Sequence, residues 1–231
     1  VQQMVAGILV SFVVSNNPKL RAFALKMPRT FSPDKRYTTL TIYNNNELKS
    51  LVDLDLGAVI CLNTLSVRTN GMLSDIGALP CTEATATACT LKSLVLQENR
   101  NLSSSLSKLH KLSAISSHID FSQNNLQTLP FPPSHATLLV AKDNNISSFG
   151  SQWLEYDGPN GQHNLMLTQL VELDLSDNLL VSIPRYLPDG LLKLDLSNNR
   201  LRSLNDHFQN LRSLQTLRLD RNMIETILPN S

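Results

Sequence analysis

The sequence predicts an α/β solenoid curved into a horseshoe, with a parallel sheet of short strands on its concave face. Irregular, polyproline-type or short helical segments are expected on the convex face. Three observations predict this fold: a leucine motif recurs along the chain, an asparagine follows at a fixed offset, and successive copies lie 20 to 34 residues apart. Recurrence at such intervals is typical of stacked coils, each of which contacts only its neighbours.

The repeat is clearest in the C-terminal third of the chain. The segments LVELDLSDNLLVSI, LLKLDLSNNRLRSL and LQTLRLDRNMIETI share the pattern LxxLxLxxNxLxxL, with isoleucine at some leucine positions. The central LxL alternates, so its leucines face one side of a short strand and the intervening residues face the other. One strand cannot bury its leucines alone, whereas a stack of coils can, so Leu194 and Leu217 are both expected to fill a continuous core.

Weaker copies extend the pattern towards the N-terminus. The asparagine of each copy lies at Asn17, Asn45, Asn70, Asn99, Asn124, Asn144, Asn178, Asn199 and Asn222. An asparagine side chain offers both an acceptor and a donor, so a stacked row can satisfy backbone groups left inside each turn. We therefore predict a structural asparagine ladder, and a single domain of about nine coils over residues 1–231, as a fragment of a longer protein.

The opening stretch VAGILVSFVVSNNPKL fits two incompatible interpretations. Its apolar run resembles the hydrophobic part of a secretory signal peptide, but no basic residue precedes Val5. Leu9, Phe12, Val14 and Asn17 also fit the register of the later copies. The register therefore favours a strand of the first coil.

The return segments differ between coils. Prolines in LPFPPSHA and IPRYLPDG favour an extended return, whereas LNDHFQNLRS, with Phe208 and Leu211 three apart, predicts a helical turn. The 34-residue step contains SQWLEYDGPNGQHN, whose DGPNG is a turn signal. An insertion near residues 150–167, which includes Trp153 and Tyr156, is therefore expected to protrude as a loop.

With strong motifs after Leu170 and weaker ones before it, the chain resembles the leucine-rich repeat superfamily from end to end. It is similar to the receptor-type ectodomains of receptor-like kinases and Toll-like receptors. The resemblance implies a non-catalytic module that binds a protein or peptide on its concave surface, as part of a membrane receptor. Two alternatives remain open: an intracellular scaffold or adaptor, and the regulatory repeat region of a larger enzyme such as a kinase.

Composition and motifs argue against other classes of function. With 20 basic and 19 acidic residues, the chain lacks the charge excess of a nucleic-acid-binding protein. It carries no phosphate-binding loop, HExxH or GxSxG motif, and its five histidines lack metal-ligand spacing. We therefore predict no enzyme activity, cofactor, metal or nucleic-acid partner. No apolar run reaches the roughly 18 residues of a membrane-spanning helix.

Recognition is expected at the strand positions between the leucines, because these positions vary from coil to coil. Tyr43, Arg68 and Gln97 are predicted to share one column, and aromatic residues with arginine are typical of interface anchors. His118 and Lys142 complete the predicted partner-binding set. Leu138 and Val140 are expected to form an apolar spot on the same face.

The cellular compartment depends on cysteines and glycosylation signals. Cys81 and Cys89 could close a loop through a disulfide, and Asn101 and Asn145 begin Asn-x-Ser sequons. These features favour a secreted protein or the extracellular face of a membrane. The alternative is a cytoplasmic protein with unpaired thiols, and Cys61 is expected to be a buried apolar residue in either case.

Overall fold

The computed structural model describes residues 11–22, 38–51, 62–76, 91–102, 117–130, 135–150, 169–183, 187–204, 208, 211–225 and 227. Its strands are β1 Ser11–Ser15, β2 Thr38–Tyr43, β3 Leu62–Arg68, β4 Ser93–Gln97, β5 His118–Asp120, β6 Thr128–Leu129, β7 Leu138–Val140, β8 Ser148–Phe149, β9 Glu172–Asp174, β10 Lys193–Asp195 and β11 Thr216–Arg218. The predictions for Leu9, the three cysteines and residues 151–167 lie outside the described residues.

One sheet runs through the described part of the molecule. Its nine strands follow the order β1-β2-β3-β4-β5-β7-β9-β10-β11, and each pairs in parallel with the next. The second leucine position pairs across eight of them, at Leu40, Leu65, Leu94, Ile119, Leu139, Leu173, Leu194 and Leu217. The predicted solenoid of parallel strands is therefore confirmed.

The side opposite the sheet carries little regular structure in the described residues. Strands β6 and β8 pair in parallel as a second, two-stranded sheet. Single bridges join Ala22 to Ser50 and Ser50 to Asp75. Phe208 lies in a 3₁₀ turn, with the Leu211 N–H donating to the Phe208 carbonyl at 3.0 Å. The short β6–β8 sheet was not predicted from the sequence.

In the described residues the core is a continuous cluster of apolar side chains, mostly leucine with isoleucine, valine, phenylalanine and alanine, along one side of the sheet. Leu65, Leu94 and Ile119 are completely buried. Leu217 is 38% exposed, so the sequence-based expectation that it fills the core is wrong. Its strand, β11, is the last of the sheet, and no further described strand covers its outer edge.

A left-handed backbone turn follows the strand in each coil. Non-glycine residues with φ of 53° to 61° immediately precede the ladder asparagines; they are Asn16, Asn44, Thr69, Glu98, Gln123, Asp143, Asp177, Asn198 and Arg221. Asparagine and aspartate tolerate this conformation best, because their short side chains bond locally. The turn lets the chain leave the sheet and brings the ladder asparagine that follows the turn beneath the sheet.

Thr69 should be strained, because a β-branched residue adopts φ of 53° at high cost. We expect Thr69→Asn to raise the free energy of unfolding by about 0.5–1 kcal/mol, even though it removes the Thr69 hydroxyl bond to Glu98. The reverse exchange at an equivalent position, Asn44→Thr, should lower it. Urea denaturation of both variants measures the effect. A decrease for Thr69→Asn would show that the hydroxyl bond outweighs the strain.

Candidate partner-binding face

The asparagines of the first coils bind one another through their backbone. The N–H of Asn45 donates to Asn70 Oδ1 at 3.1 Å, and the N–H of Asn70 donates to Asn99 Oδ1 at 3.1 Å. Each amide nitrogen donates in turn to carbonyls of its own coil and of the preceding one; for Asn99 these are Gln97 at 2.9 Å and Val67 at 2.8 Å. These asparagines are completely buried, and this network rigidifies the strand ends that carry Tyr43, Arg68 and Gln97.

The later asparagines use a different acceptor geometry. Asn178 Oδ1 accepts from the Ile146 N–H at 3.0 Å, and Asn199 Oδ1 accepts from the Leu180 N–H at 2.9 Å. In both cases the donor lies two residues after the preceding ladder asparagine. Asn144 accepts both kinds of bond, from the N–H groups of Asn124 and Leu126. The solenoid therefore changes its internal bonding at the coil of β7.

Three aspartates on the sheet are tied to their own backbone. Each Oδ1 accepts from the N–H of a serine two residues later: Asp120 from Ser122 at 2.8 Å, Asp174 from Ser176 at 2.9 Å and Asp195 from Ser197 at 2.9 Å. Strands β5, β9 and β10 end at these aspartates. The carboxylates are therefore held in fixed orientations, and each keeps its second oxygen for another partner.

The concave face is defined as the sheet positions that alternate with the leucines. Equivalent positions of successive strands form three columns across the sheet, numbered first to third along the strand direction. On β2, β3 and β4 the third column contains Tyr43, Arg68 and Gln97, which pair directly with one another. Arg68 is exposed, and its Nε donates to Ser66 Oγ at 3.0 Å. Tyr43 and Gln97 are half-buried on either side of it. This part of the face combines one oriented guanidinium with neutral polar neighbours.

The middle of the concave face lies on β5, β7 and β9. His118 pairs with Leu138, and Asp120 pairs with Val140, all four being half-buried. Val140 pairs on its other side with Asp174. The predicted apolar spot at Leu138 and Val140 is thus flanked by carboxylates of both neighbouring strands. Lys142, beyond Val140 on the same coil, is exposed.

Ion pairs join many charged side chains of the later coils. Lys193 Nζ lies 2.7 Å from Glu172 Oε1, and Arg218 Nη1 lies 3.3 Å from Asp195 Oδ2. Lys142 Nζ lies 3.4 Å from Asp177 Oδ2, at the turn that follows β9. These charges largely neutralise one another within the sheet. Exposed pairs of this kind contribute only about 0–1 kcal/mol each.

The pKa of Asp177 is lowered, first by the hydrogen bond from the Asn198 amide and then by Lys142 and Arg221. A lowered folded-state pKa stabilises the fold above the unfolded-state pKa of about 3.9, and this stabilisation is lost as the pH falls through the folded value. We expect Asp177→Asn to be less stable than the wild type at pH 7, with the difference vanishing in acid. Urea midpoints from pH 7 to pH 2 measure it. A difference that does not change with pH would contradict the role of charge.

The two sequons differ in their surroundings. Asn101 is exposed, and its Nδ2 donates to the Gly71 carbonyl at 2.8 Å. Asn145 is also exposed, and its backbone N–H donates to the Leu126 carbonyl at 2.9 Å. Asn101 lies three residues after the left-handed Glu98, and Asn145 lies two residues after the left-handed Asp143, so both lie outside the columns of the concave face. A glycan at either position would therefore leave the columns of the face open.

Other kinds of site find no support in the described residues. They contain no group of three or more histidine, cysteine, aspartate or glutamate residues placed to hold a metal ion. Within the same residues, no helix is both long and apolar enough to cross a bilayer. His118 and His135 are the histidines that the structure describes.

Asp120 and Asp174 were not predicted as site residues from the sequence. The signal was present, because Asp-x-Ser recurs at the same place in DFS, DLS and DLS. The recurrence predicts a local side-chain to backbone hydrogen bond of the kind that aspartate favours.

Comparison with known proteins finds the repeat directly. A family model for the leucine rich repeat matches residues 168–224. The chain is 28% identical over 214 residues to osteomodulin of Rattus norvegicus, covering 83% of this chain and 48% of osteomodulin. It is 38% identical over 92 residues to Toll-like receptor 6 of Bos taurus, covering 38% of this chain and 12% of that receptor. The chain thus spans less than half the length of either relative.

A solved structure shares the fold across almost the whole chain. The crystal structure of the TLR13–ssRNA13 complex superposes with a TM-score of 0.58 at 22% identity, covering 93% of this chain and 31% of that one. At this identity the likeness shows the fold alone. Residues 168–224 thus match the leucine rich repeat family, and the recurring motif and the continuous parallel sheet give the described residues the solenoid fold of leucine-rich repeat proteins.

Proposed function

We propose that this chain is a non-catalytic recognition module that binds a protein or peptide on its concave face. The observation that carries the proposal is the rigid, open column of Tyr43, Arg68 and Gln97 on β2 to β4. The leucines fix the backbone beneath it, so a partner need not order the face. Tyrosine and arginine are the residue types that most often anchor protein interfaces.

The later coils support the same assignment by contrast. On the concave face of β9 to β11, Glu172 pairs with Lys193 and Asp195 pairs with Arg218. Breaking these pairs would be required before a partner could use them. The partner-binding surface therefore centres on the early and middle coils, from Tyr43 to Lys142, with His118 on β5. Within this surface only Lys142 would have to leave an ion-pair partner, Asp177, among the described residues.

We also propose an extracellular setting, as the ectodomain part of a membrane receptor or a secreted protein. The similarity to osteomodulin, an extracellular matrix protein, and to Toll-like receptor 6, a membrane receptor, supports an extracellular or membrane-associated location. The sequons at Asn101 and Asn145 and a Cys81–Cys89 bridge would fit that setting. Rapid labelling of both cysteines in secreted, non-reduced protein would contradict the bridge and favour the cytoplasmic alternative.

A screen of displayed secreted and cell-surface proteins with the labelled chain would supply a partner. For that partner, joint replacement of Tyr43, Arg68 and Lys142 by alanine should weaken binding about 30-fold or more, corresponding to about 2 kcal/mol. The variant should remain folded, because none of the three occupies a leucine position. Deletion of residues 156–163 provides the comparison. Loss of affinity in the deletion alone would place the site on the insertion and overturn the proposal.

A further inference from the structure

The charges of the concave face fall into two groups. Six of them have an oppositely charged partner within 4 Å. Lys142 pairs with Asp177, Lys193 pairs with Glu172, and Arg218 pairs with both Asp195 and Asp220. Three further charges on this face, Arg68, Asp120 and Asp174, form no ion pair with any described residue. These three are therefore the charges that remain to be matched by a partner.

The unmatched cation is Arg68, at the end of β3. Arg68 is the only charged residue among the concave positions of β1 to β4, where its neighbours are serine, threonine, tyrosine, valine and glutamine. Arg68 is exposed and its Nε donates to Ser66 Oγ, so the terminal nitrogens of the guanidinium remain available to a partner. A guanidinium in this state favours a carboxylate, which it can bind through two parallel hydrogen bonds.

The two carboxylates lie on either side of Val140. Asp120, Val140 and Asp174 pair across β5, β7 and β9, so the aspartates stand two strands apart. Their Oδ1 atoms bind the N–H groups of Ser122 and Ser176, which fixes both carboxylates in place. A lysine or arginine could lay its aliphatic stem on Val140 and its charged end between the carboxylates.

We propose that the partner presents an acidic side chain to Arg68 and a basic side chain to the gap between Asp120 and Asp174. Three strand spacings separate Arg68 from β7, about 14 Å, and the shift of one column adds about 7 Å along the strands. The two partner charges thus lie about 16 Å apart. In an extended segment, residues four positions apart have Cα atoms about 13 Å apart, and the length of their side chains covers the remaining distance. This inference rests on the proposed function and specifies its ligand.

The probe is the peptide acetyl-Glu-Ser-Val-Ser-Arg-amide, titrated into the full 231-residue chain at low salt and followed by NMR. Its isomer acetyl-Ser-Glu-Val-Arg-Ser-amide has the same composition and also points both charges to one face, but two residues apart. The first peptide should bind saturably with millimolar affinity and shift the Val140 amide resonance. The isomer should bind about tenfold more weakly, because it can occupy only one charge site at a time.

Variants of the protein assign each charge to its site. Arg68→Gln should abolish the advantage of glutamate over glutamine in the peptide. The double variant Asp120→Asn and Asp174→Asn should abolish the advantage of arginine over citrulline, while asparagine retains the Oδ1 acceptor for Ser122 and Ser176. Asp195→Asn is the matched control: it has the same clamp, but its carboxylate already pairs with Arg218, so peptide affinity should not change. Such cycles isolate each pairwise contribution.

Absence of saturable binding, equal affinity of the two isomers, or coupling of Arg68 with the peptide arginine would each overturn the inference. Tighter binding of a single-stranded RNA 13-mer, weakened by Arg68→Gln and strengthened by the double asparagine variant, would replace it with nucleic-acid recognition. The proposed function fails separately. It falls if a protein partner binds away from the concave face, and it stands if that partner uses the face without these charge couplings.

Discussion

Leu194→Ala is expected to lower the free energy of unfolding by about 2–5 kcal/mol. Leu194 is 1% exposed and lies between Leu173 and Leu217, its neighbours in the sheet. Alanine would remove its contacts and leave a cavity that the flanking coils cannot close, because hydrogen bonds fix their spacing on both sides. Urea denaturation of the full chain, monitored by circular dichroism, measures the loss.

Leu217→Ala is the matched control, because Leu217 occupies the equivalent position of β11 and is 38% exposed. Its replacement should cost about half as much or less, since less apolar surface is withdrawn from water. Equal losses at the two positions would contradict the burial described for the last coil. An unchanged midpoint for Leu194→Ala would contradict the leucine register itself.

Asn99→Ala is expected to lower the free energy of unfolding by about 2–4 kcal/mol. Asn99 is completely buried, and its Oδ1 accepts the Asn70 N–H at 3.1 Å. Its Nδ2 donates to the Val67 carbonyl of the preceding coil at 2.8 Å. Alanine would leave a buried donor without an acceptor and a buried carbonyl short of a donor, in a place that the stacked coils close to water.

The control is Asn17→Ala in the first described coil. Asn17 is exposed, and its Nδ2 donates to the Ser15 carbonyl at 2.8 Å, a group that water can reach instead. Its loss should therefore stay below about 1 kcal/mol. Similar losses for the two asparagines, measured by urea denaturation, would show that the ladder contributes little beyond a surface turn.

The sequence allowed the register of the coils to be predicted, because burial imposes a strict pattern. A one-residue shift would move every leucine of a strand to the concave face, so the LxL spacing leaves one solution. For the same reason the opening stretch could be assigned to a strand from the register of Leu9, Phe12, Val14 and Asn17, together with the lack of a basic residue before Val5. Residues 11–15 form β1, which pairs with β2.

The features that were missed depend on local backbone geometry or on position in the stack. Nothing in the motif distinguishes the last strand from an inner one, so the exposure of Leu217 could not be predicted. The change in bonding at Asn144 requires the relative positions of two coils. Ion pairs such as Lys193 with Glu172 depend on which residues the register places side by side.

Part of the candidate site could also be predicted from the sequence, and part could not. Its columns follow from the leucine frame, so the sequence could propose Tyr43, Arg68 and Gln97 as neighbours. The recurring Asp-x-Ser of Asp120 and Asp174 indicates bonds to their own backbone, but which charges remain unmatched depends on distances between side chains and required the structure. Their clamped carboxylates give the middle of the face a preference for a basic group that composition alone does not show.

Photo-crosslinking from defined positions tests the central claim, that the concave face is the binding surface, most directly. Benzoyl-phenylalanine is placed either at Tyr43, in the third column of β2, or at Met72, which is exposed beyond the turn that follows β3. With a partner from the screen, crosslinking should occur from position 43 and be absent from position 72. Crosslinking from position 72 with none from position 43 would contradict the claim and place the partner on the flank of the solenoid.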